Sequence, residues 1–95
     1  MNSNKLYANA ILITGVAGFI GYFLSKRLLD KGYYVIGIDN INDYYDVNLK
    51  FTRLRGLESY RNFKFIKGDI SEKKLILSIF NENKPEIVIN LAAQA

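Results

Sequence analysis

The 95-residue chain has no cysteine, no histidine and a single proline. Without cysteine there are no disulfides and no thiolate chemistry. Without histidine, the usual zinc sites and any Ser-His or Cys-His nucleophilic pair are excluded within this chain. No catalytic or metal-ligating set is expected among these residues. No apolar run approaches the ~20 residues of a membrane span. Met1-Asn2-Ser3-Asn4-Lys5 has neither the apolar segment nor the small-residue cleavage site of a signal peptide. No membrane partner is therefore expected, and a cytoplasmic location is. Internal repeats and low-complexity tracts are missing as well. Strong charge is also lacking: the net charge is +4, with a slight basic cluster at Lys50, Arg53, Arg55, Arg61 and Lys64. A solvated face is the ordinary reading of that cluster; attraction of an anionic dinucleotide or sugar nucleotide is the sharper one. No aromatic-and-basic single-strand motif is present, so nucleic acid is not an expected partner.

The chain is 49% apolar and 23% charged, ordinary for a globular domain and too apolar for disorder. Its length allows at most one domain, burying roughly 60–65% of its unfolded surface. Residues 1–9 read as a lead-in with the start of a strand. Residues 10–95 read as the part that folds.

The pattern alternates strands and helices. Tyr7 to Thr14 predicts a first strand, continuously apolar through Ala10-Ile11-Leu12-Ile13, as in a parallel strand covered on both faces. An amphipathic helix follows from Phe19 to Leu29. Ala17, Gly21, Leu24 and Leu28 mark its apolar face, which Phe19, Ile20 and Phe23 widen. Gly32 is expected as its left-handed C′ residue. Tyr33 to Ile38 predicts the second strand, ending at Asp39. Asn40 to Asp46 is turn-prone, and Asp46 is positioned to cap a helix from Val47 to about Tyr60. Phe63 to Lys67 predicts the third strand, closed by Gly68-Asp69. Ser71 is expected to cap the next helix, with Leu75, Ile76, Ile79 and Phe80 on its apolar face. Pro85 and Glu86 introduce a fourth strand from Ile87 to Leu91. These elements predict an α/β fold: a partial Rossmann-type, doubly wound parallel sheet of four strands in the order 3-2-1-4. Ligands bind such sheets in the crevice at the strands' carboxyl ends, where the order reverses.

The candidate chemistry sits at that edge. Thr14-Gly15-Val16-Ala17-Gly18-Phe19-Ile20-Gly21 places three glycines at a strand-to-helix junction. Gly15 is suited to the positive φ of a tight turn. Gly18 lets the backbone approach an anion, and the free N–H groups at the helix start point to the same place. A pyrophosphate is the ligand this suits; a ligand-free tight turn is the plain alternative. Asp39 ends the second strand 18 residues after Gly21. Its carboxylate is placed to accept both hydroxyls of an adenosine ribose and to repel a 2′-phosphate. No Arg or Lys lies between Asp39 and Asp46, which favours NAD over NADP. Asp69 and Ile70 could line an adenine pocket, or Asp69 could simply cap the next helix. Leu91, Ala92 and Ala93 could pass beside the pyrophosphate or nicotinamide ribose, or be ordinary core. Tyr60 and Lys64 fit Tyr-x-x-x-Lys, but the pair straddles a helix end and a strand start, so no catalytic role is expected.

These residues resemble the extended short-chain dehydrogenase/reductase family, the NAD-dependent sugar-nucleotide epimerases and dehydratases. Thr14 to Gly21 is similar to that family's Thr-Gly-x-x-Gly-Phe-Ile-Gly signature. Gly68-Asp69-Ile70 and Leu91-Ala92-Ala93-Gln94-Ala95 are similar too. Asp39-Asn40-Ile41-Asn42-Asp43-Tyr44-Tyr45-Asp46 resembles the loop of the branch acting on UDP-glucuronate. The resemblance implies a C4 epimerase working by transient oxidation: a tyrosine takes the proton of the sugar 4-hydroxyl while hydride passes to NAD, and the keto sugar rotates and takes the hydride back on its other face. It also implies that Gly15, Gly18 and Gly21, with Phe19 and Ile20, bind pyrophosphate. Asp39, Asn40 and Asn42 would bind the adenosine ribose, Asp69 and Ile70 the adenine, and Leu91, Ala92 and Ala93 the nicotinamide side. Asn90 stands where many relatives carry histidine. The family's catalytic Tyr and Lys lie beyond these residues, so the chain alone is expected to be inactive. A 4,6-dehydratase, or a non-catalytic NAD-binding module, is the alternative. The expected partners are a nucleotide-sugar substrate and, through exposed sheet and helix surfaces, a second copy of the chain.

Overall fold

A computed structural model describes residues 10–41 and 47–92. The elements run β1 (Ala10–Thr14), α1 (Phe19–Asp30), β2 (Tyr34–Asp39), α2 (Val47–Glu58), β3 (Phe63–Lys67), α3 (Lys73–Asn83) and β4 (Ile87–Asn90). All strand pairings are parallel, and the sheet order is β3-β2-β1-β4. The expected topology is therefore the observed one. The expected Asp46 cap and the start of the first strand before Ala10 lie outside the described residues.

Strand periodicity sorts the core into two layers. Ile11, Ile13 and Val35 face one side and pack with Val16, Ala17, Leu29 of α1 and Leu54 and Leu57 of α2. Ala10, Leu12, Ile36 and Ile38 face the other and pack with Ile79 of α3. Every residue of β1 is buried, as its unbroken apolar run predicts. Leu12, Ile13, Ile36, Ile38 and Leu57 are among the largest fully buried side chains, each stabilising the fold by about 1.5–3 kcal/mol relative to exposure.

The face of α1 departs from the sequence expectation. Its buried line is Gly21, Ser25 and Leu29, while Leu24 and Leu28 flank it half-buried. Phe19, Ile20 and Phe23 point outward, 65%, 64% and 50% exposed. A helix that packs its first turn closely on a sheet puts its smallest residues inward, and Ser25 satisfies that steric need better than the bulkier apolar residues do. The C-terminus is as expected. Gly32 has φ +93°, its N–H donates to the Leu29 carbonyl and the Tyr33 N–H donates to that of Leu28, which is a Schellman motif.

Two further expectations are corrected. Ser71 does not cap α3: the cap residue is Glu72, without a side-chain cap bond. Ser71 instead donates its backbone N–H to Asp69 Oδ1 at 2.9 Å, because the Asp69 carboxylate closes a local turn there first. β4 stops at Asn90, one residue short of the expected Leu91, and the Leu91 and Ala92 N–H groups that follow donate to Thr14 Oγ1.

Candidate functional site

The site forms at the carboxyl ends of β1, β2 and β4, where the strand order reverses. The glycine turn leaves β1 at Thr14. Gly15 takes φ +73°, and its N–H donates to the Ile38 carbonyl at 2.8 Å. A Cβ on Gly15 would lie 2.8 Å from both the Ala92 nitrogen and the Leu91 carbonyl carbon. Only glycine allows the turn to adopt this conformation and to lie this close to the chain leaving β4. Gly21 is buried, and a Cβ there would strike the Gly15 carbonyl, so it seats α1 on the turn. Gly18 differs. It is the N-cap of α1 with no side-chain cap, and the first turn of the helix carries no acidic residue. A Cβ at Gly18 would meet only the Gly15 carbonyl oxygen, at 3.3 Å. The uncapped helix start is thus left with backbone N–H groups and no competing carboxylate, which suits a bound phosphate oxygen.

Asp39 is 6% exposed, and the turn is built around it. Its Oδ2 accepts the Ala17 N–H at 3.0 Å and its Oδ1 accepts the Ile41 N–H at 2.8 Å. Lys50 of α2 brings its Nζ within 3.4 Å of Oδ1. An ionised carboxylate offers about four acceptor positions, and these three donors leave room at Oδ2 for one more. Arg53, one turn further along α2, donates Nη1–H to the Ala17 carbonyl at 3.1 Å. Its guanidinium sits 5.8 Å from the centre of the Phe19 ring. Lys50 and Arg53 therefore do not belong to a solvated basic face. They tie α2 to the turn. The signal for Lys50 was in the sequence: it falls on one line with Leu54 and Leu57, the buried face of α2. A cation on an apolar stripe implies a buried partner.

The other candidates fall into two groups. Leu91 and Ala92 meet the turn, since both backbone N–H groups donate to Thr14 Oγ1, at 3.0 and 3.2 Å. The Thr14 hydroxyl donates to Asn90 Oδ1. Asn40 and Asp69 meet each other at the ends of β2 and β3. The Asp69 carboxyl is held below its ordinary value, first by the Ser71 backbone N–H, then by the Ser71 side chain, with a smaller contribution from the Asn40 side chain. Ile70 packs against the second core layer. Asn42 and Ala93 lie outside the described residues. Tyr60 and Lys64 are not brought to the site. The Tyr60 hydroxyl donates to Asp30 Oδ1 at 2.5 Å, and that hydrogen bond raises its pKa, the opposite of what a catalytic tyrosine needs. Among the described residues no cluster of potential metal ligands occurs, and no helix is long and apolar enough to cross a membrane.

Residues 12–95 match the family model described as GDP-mannose 4,6 dehydratase. The chain belongs to that family. A UDP-glucuronate 4-epimerase from Thermodesulfobacterium geofontis is 48% identical over 84 residues, covering 88% of this chain and 26% of the relative. Among solved structures, the UDP-glucuronic acid 4-epimerase of Bacillus cereus, in complex with UDP-glucuronic acid and NAD, superposes with a TM-score of 0.76 at 36% identity. That match covers 88% of this chain and 26% of the other. The dTDP-glucose 4,6-dehydratase of Bacillus anthracis, in complex with NAD, gives 0.78 at 27% identity, covering 90% of this chain and 27% of the other. The chain spans about a quarter of the length of the relatives it matches. Within this family of epimerases and dehydratases, the matched region is the four-stranded sheet with its glycine turn.

Proposed function

We propose that this chain is the NAD-binding portion of a sugar-nucleotide 4-epimerase acting on a UDP-sugar, with UDP-glucuronate as the substrate. The observation that carries the reading is the uncapped α1 N-terminus at Gly18 beside the buried Asp39 carboxylate. This pairing supplies donors for a pyrophosphate and an acceptor for a ribose hydroxyl on one turn. Gly15 and Gly18 would cradle the pyrophosphate with the Phe19 and Ile20 N–H groups, and Gly21 would keep the helix seated. Asp39 and Asn40 would hold the adenosine ribose, with Asn42 alongside. Asp69 and Ile70 would border the adenine, and Leu91, Ala92 and Ala93 the nicotinamide side. Bound NAD would supply reversible hydride acceptance from the sugar. These residues would bind and orient it; the acid–base step would come from a segment other than this one, so the chain alone would be inactive. A cytoplasmic location goes with this reading.

Titration calorimetry with NAD tests it. Saturable one-to-one binding, weakened by Gly18→Val, supports the reading, and no binding at millimolar NAD rejects it. A 4,6-dehydratase is the second reading, favoured by the superposition on the dTDP-glucose enzyme. Its higher sequence identity to the epimerases supports the first. We also infer self-association: β4 has β1 as its one neighbour among the described strands, and Ile87 and Val88 are half exposed.

A further inference from the structure

The Asp39–Lys50 ion pair goes beyond a carboxylate placed to accept ribose hydroxyls. A bare carboxylate at the end of β2 would repel a 2′-phosphate, and no cation lies between residues 39 and 46 to offset it. The fold supplies one from α2. The Lys50 and Asp39 side chains are 8% and 4% exposed, with Nζ 3.4 Å from Oδ1. Buried from solvent, the pair is little screened by salt. We infer that Lys50 is a specificity-determining residue for the cofactor: by neutralising Asp39 it sets how strongly the site discriminates against a 2′-phosphorylated adenosine ribose. The inference rests on the NAD-binding reading above and adds the electrostatic control of its ribose subsite.

The effect of Lys50 is one of charge. A phosphate monoester carries about −1.5 to −2 at neutral pH, so it responds to the net charge of the pair far more than a ribose hydroxyl does. Removing the ammonium leaves one uncompensated negative charge near the 2′ position. At an effective dielectric near 20, such a change within several ångströms alters binding of the phosphorylated ligand by roughly tenfold or more. Binding of the unphosphorylated ligand depends on hydrogen bonds and changes less.

The test is the ratio of dissociation constants for NADP and NAD, measured by calorimetry on four proteins: the wild-type chain, Lys50→Met, Asp39→Asn and the Asp39→Asn/Lys50→Met double variant. Lys50→Met should raise the ratio about tenfold or more. Asp39→Asn should lower it, and the double variant, again neutral, should return close to wild type. If the buried unpaired carboxylate of Lys50→Met prevents folding, the step from Asp39→Asn to the double variant reads the same effect without that charge, and the ratio should rise there by a similar factor. A structural role for Lys50 would weaken both ligands in parallel and leave every ratio equal, which overturns the inference while leaving NAD binding intact. Failure of the wild-type chain to bind NAD at all overturns the proposed function and this inference with it.

Discussion

Gly37 of β2 lies directly against Val16 of the glycine turn: a Cβ at position 37 would stand 2.7 Å from Val16 Cγ2 and 2.8 Å from Cγ1. The valine in the turn is fully buried, and the missing side chain on the neighbouring strand makes its room. Gly37→Ala should therefore destabilise the fold by about 1–3 kcal/mol through overpacking. Combining it with Val16→Ala should recover part of that loss, a coupling expected only of residues in contact. Urea denaturation of the two single variants and the double variant reads both effects. Additive losses would show that the two residues do not share this space.

Thr14 joins the ends of β1 and β4. Its hydroxyl oxygen accepts two backbone N–H groups, from Leu91 and Ala92. Thr14→Val keeps the shape and removes the acceptor. A loss of about 1–3 kcal/mol is expected for the Ala92 amide left unsatisfied. The Ala92 amide should exchange faster with solvent than in the wild type. The Leu91 amide should be less affected, because it also donates to the Thr14 carbonyl at 3.1 Å. Hydrogen exchange followed by NMR checks the difference between the two positions.

Much of this arrangement was legible in the sequence. The unbroken apolar run of β1, the glycine spacing and Asp39 at the end of β2 led to the observed sheet and to a turn at the switch point. At Ser25 and Lys50 a small and a charged residue occupy buried helix positions that hydrophobicity assigns to large apolar ones. Ser25 took the buried face of α1 because the close seating of Gly21 on Gly15 leaves little depth beside it. Lys50 was buried because its partner, eleven residues earlier, lies at the end of a strand. The pattern along α2 implies a buried partner for Lys50 but does not say which carboxylate on another element supplies it. Ser71 illustrates local competition: the Asp69 turn took its N–H before the helix could use it as a cap.

Asp39→Ala should lower stability as well as any NAD affinity. It removes the acceptor for the Ala17 N–H and leaves Lys50 in a buried position without its carboxylate. Breaking a buried pair from one side costs about 3–5 kcal/mol. Thermal denaturation and NAD titration of the variant, the latter well below its midpoint, separate the two losses. An unchanged denaturation midpoint would mean that the carboxylate does not support the turn.

Tyr60 should titrate above its ordinary value of 10.0, because the Asp30 hydrogen bond favours the protonated phenol. The direction fixes the pH dependence: a group whose folded pKa is raised contributes stability below the unfolded pKa and loses it as pH rises through the folded one. The contribution is thus present at neutral pH and lost above about pH 10. Difference ultraviolet titration of the wild type against Tyr60→Phe isolates this phenol. Asp30→Asn should bring its pKa down towards the ordinary value. A Tyr60 pKa below 10.0 would contradict the hydrogen bond and reopen the Tyr-x-x-x-Lys pairing.

Self-association should follow from the outer edge of β4, with exposed apolar side chains there and at the start of α1. Ile87 and Val88 are 50% and 48% exposed, and Phe19, Ile20 and Phe23 expose half or more of their surface. The Phe19 and Phe23 rings pack edge to face, 5.0 Å between centres, as one outward-facing apolar cluster. A strand edge without a partner among the described strands offers a row of backbone N–H and C=O groups to another strand, and exposed apolar side chains favour burial against a second copy. At the opposite edge, β3 carries Lys64 and Lys67, both exposed, whose charge opposes pairing there. Association should therefore run through β4. Sedimentation velocity across a concentration series should show a dimer or larger species for the wild type. Val88→Lys should shift the equilibrium towards monomer, whereas Lys64→Ala should not reduce association. A wild-type chain that stays monomeric throughout the series would rule the interface out.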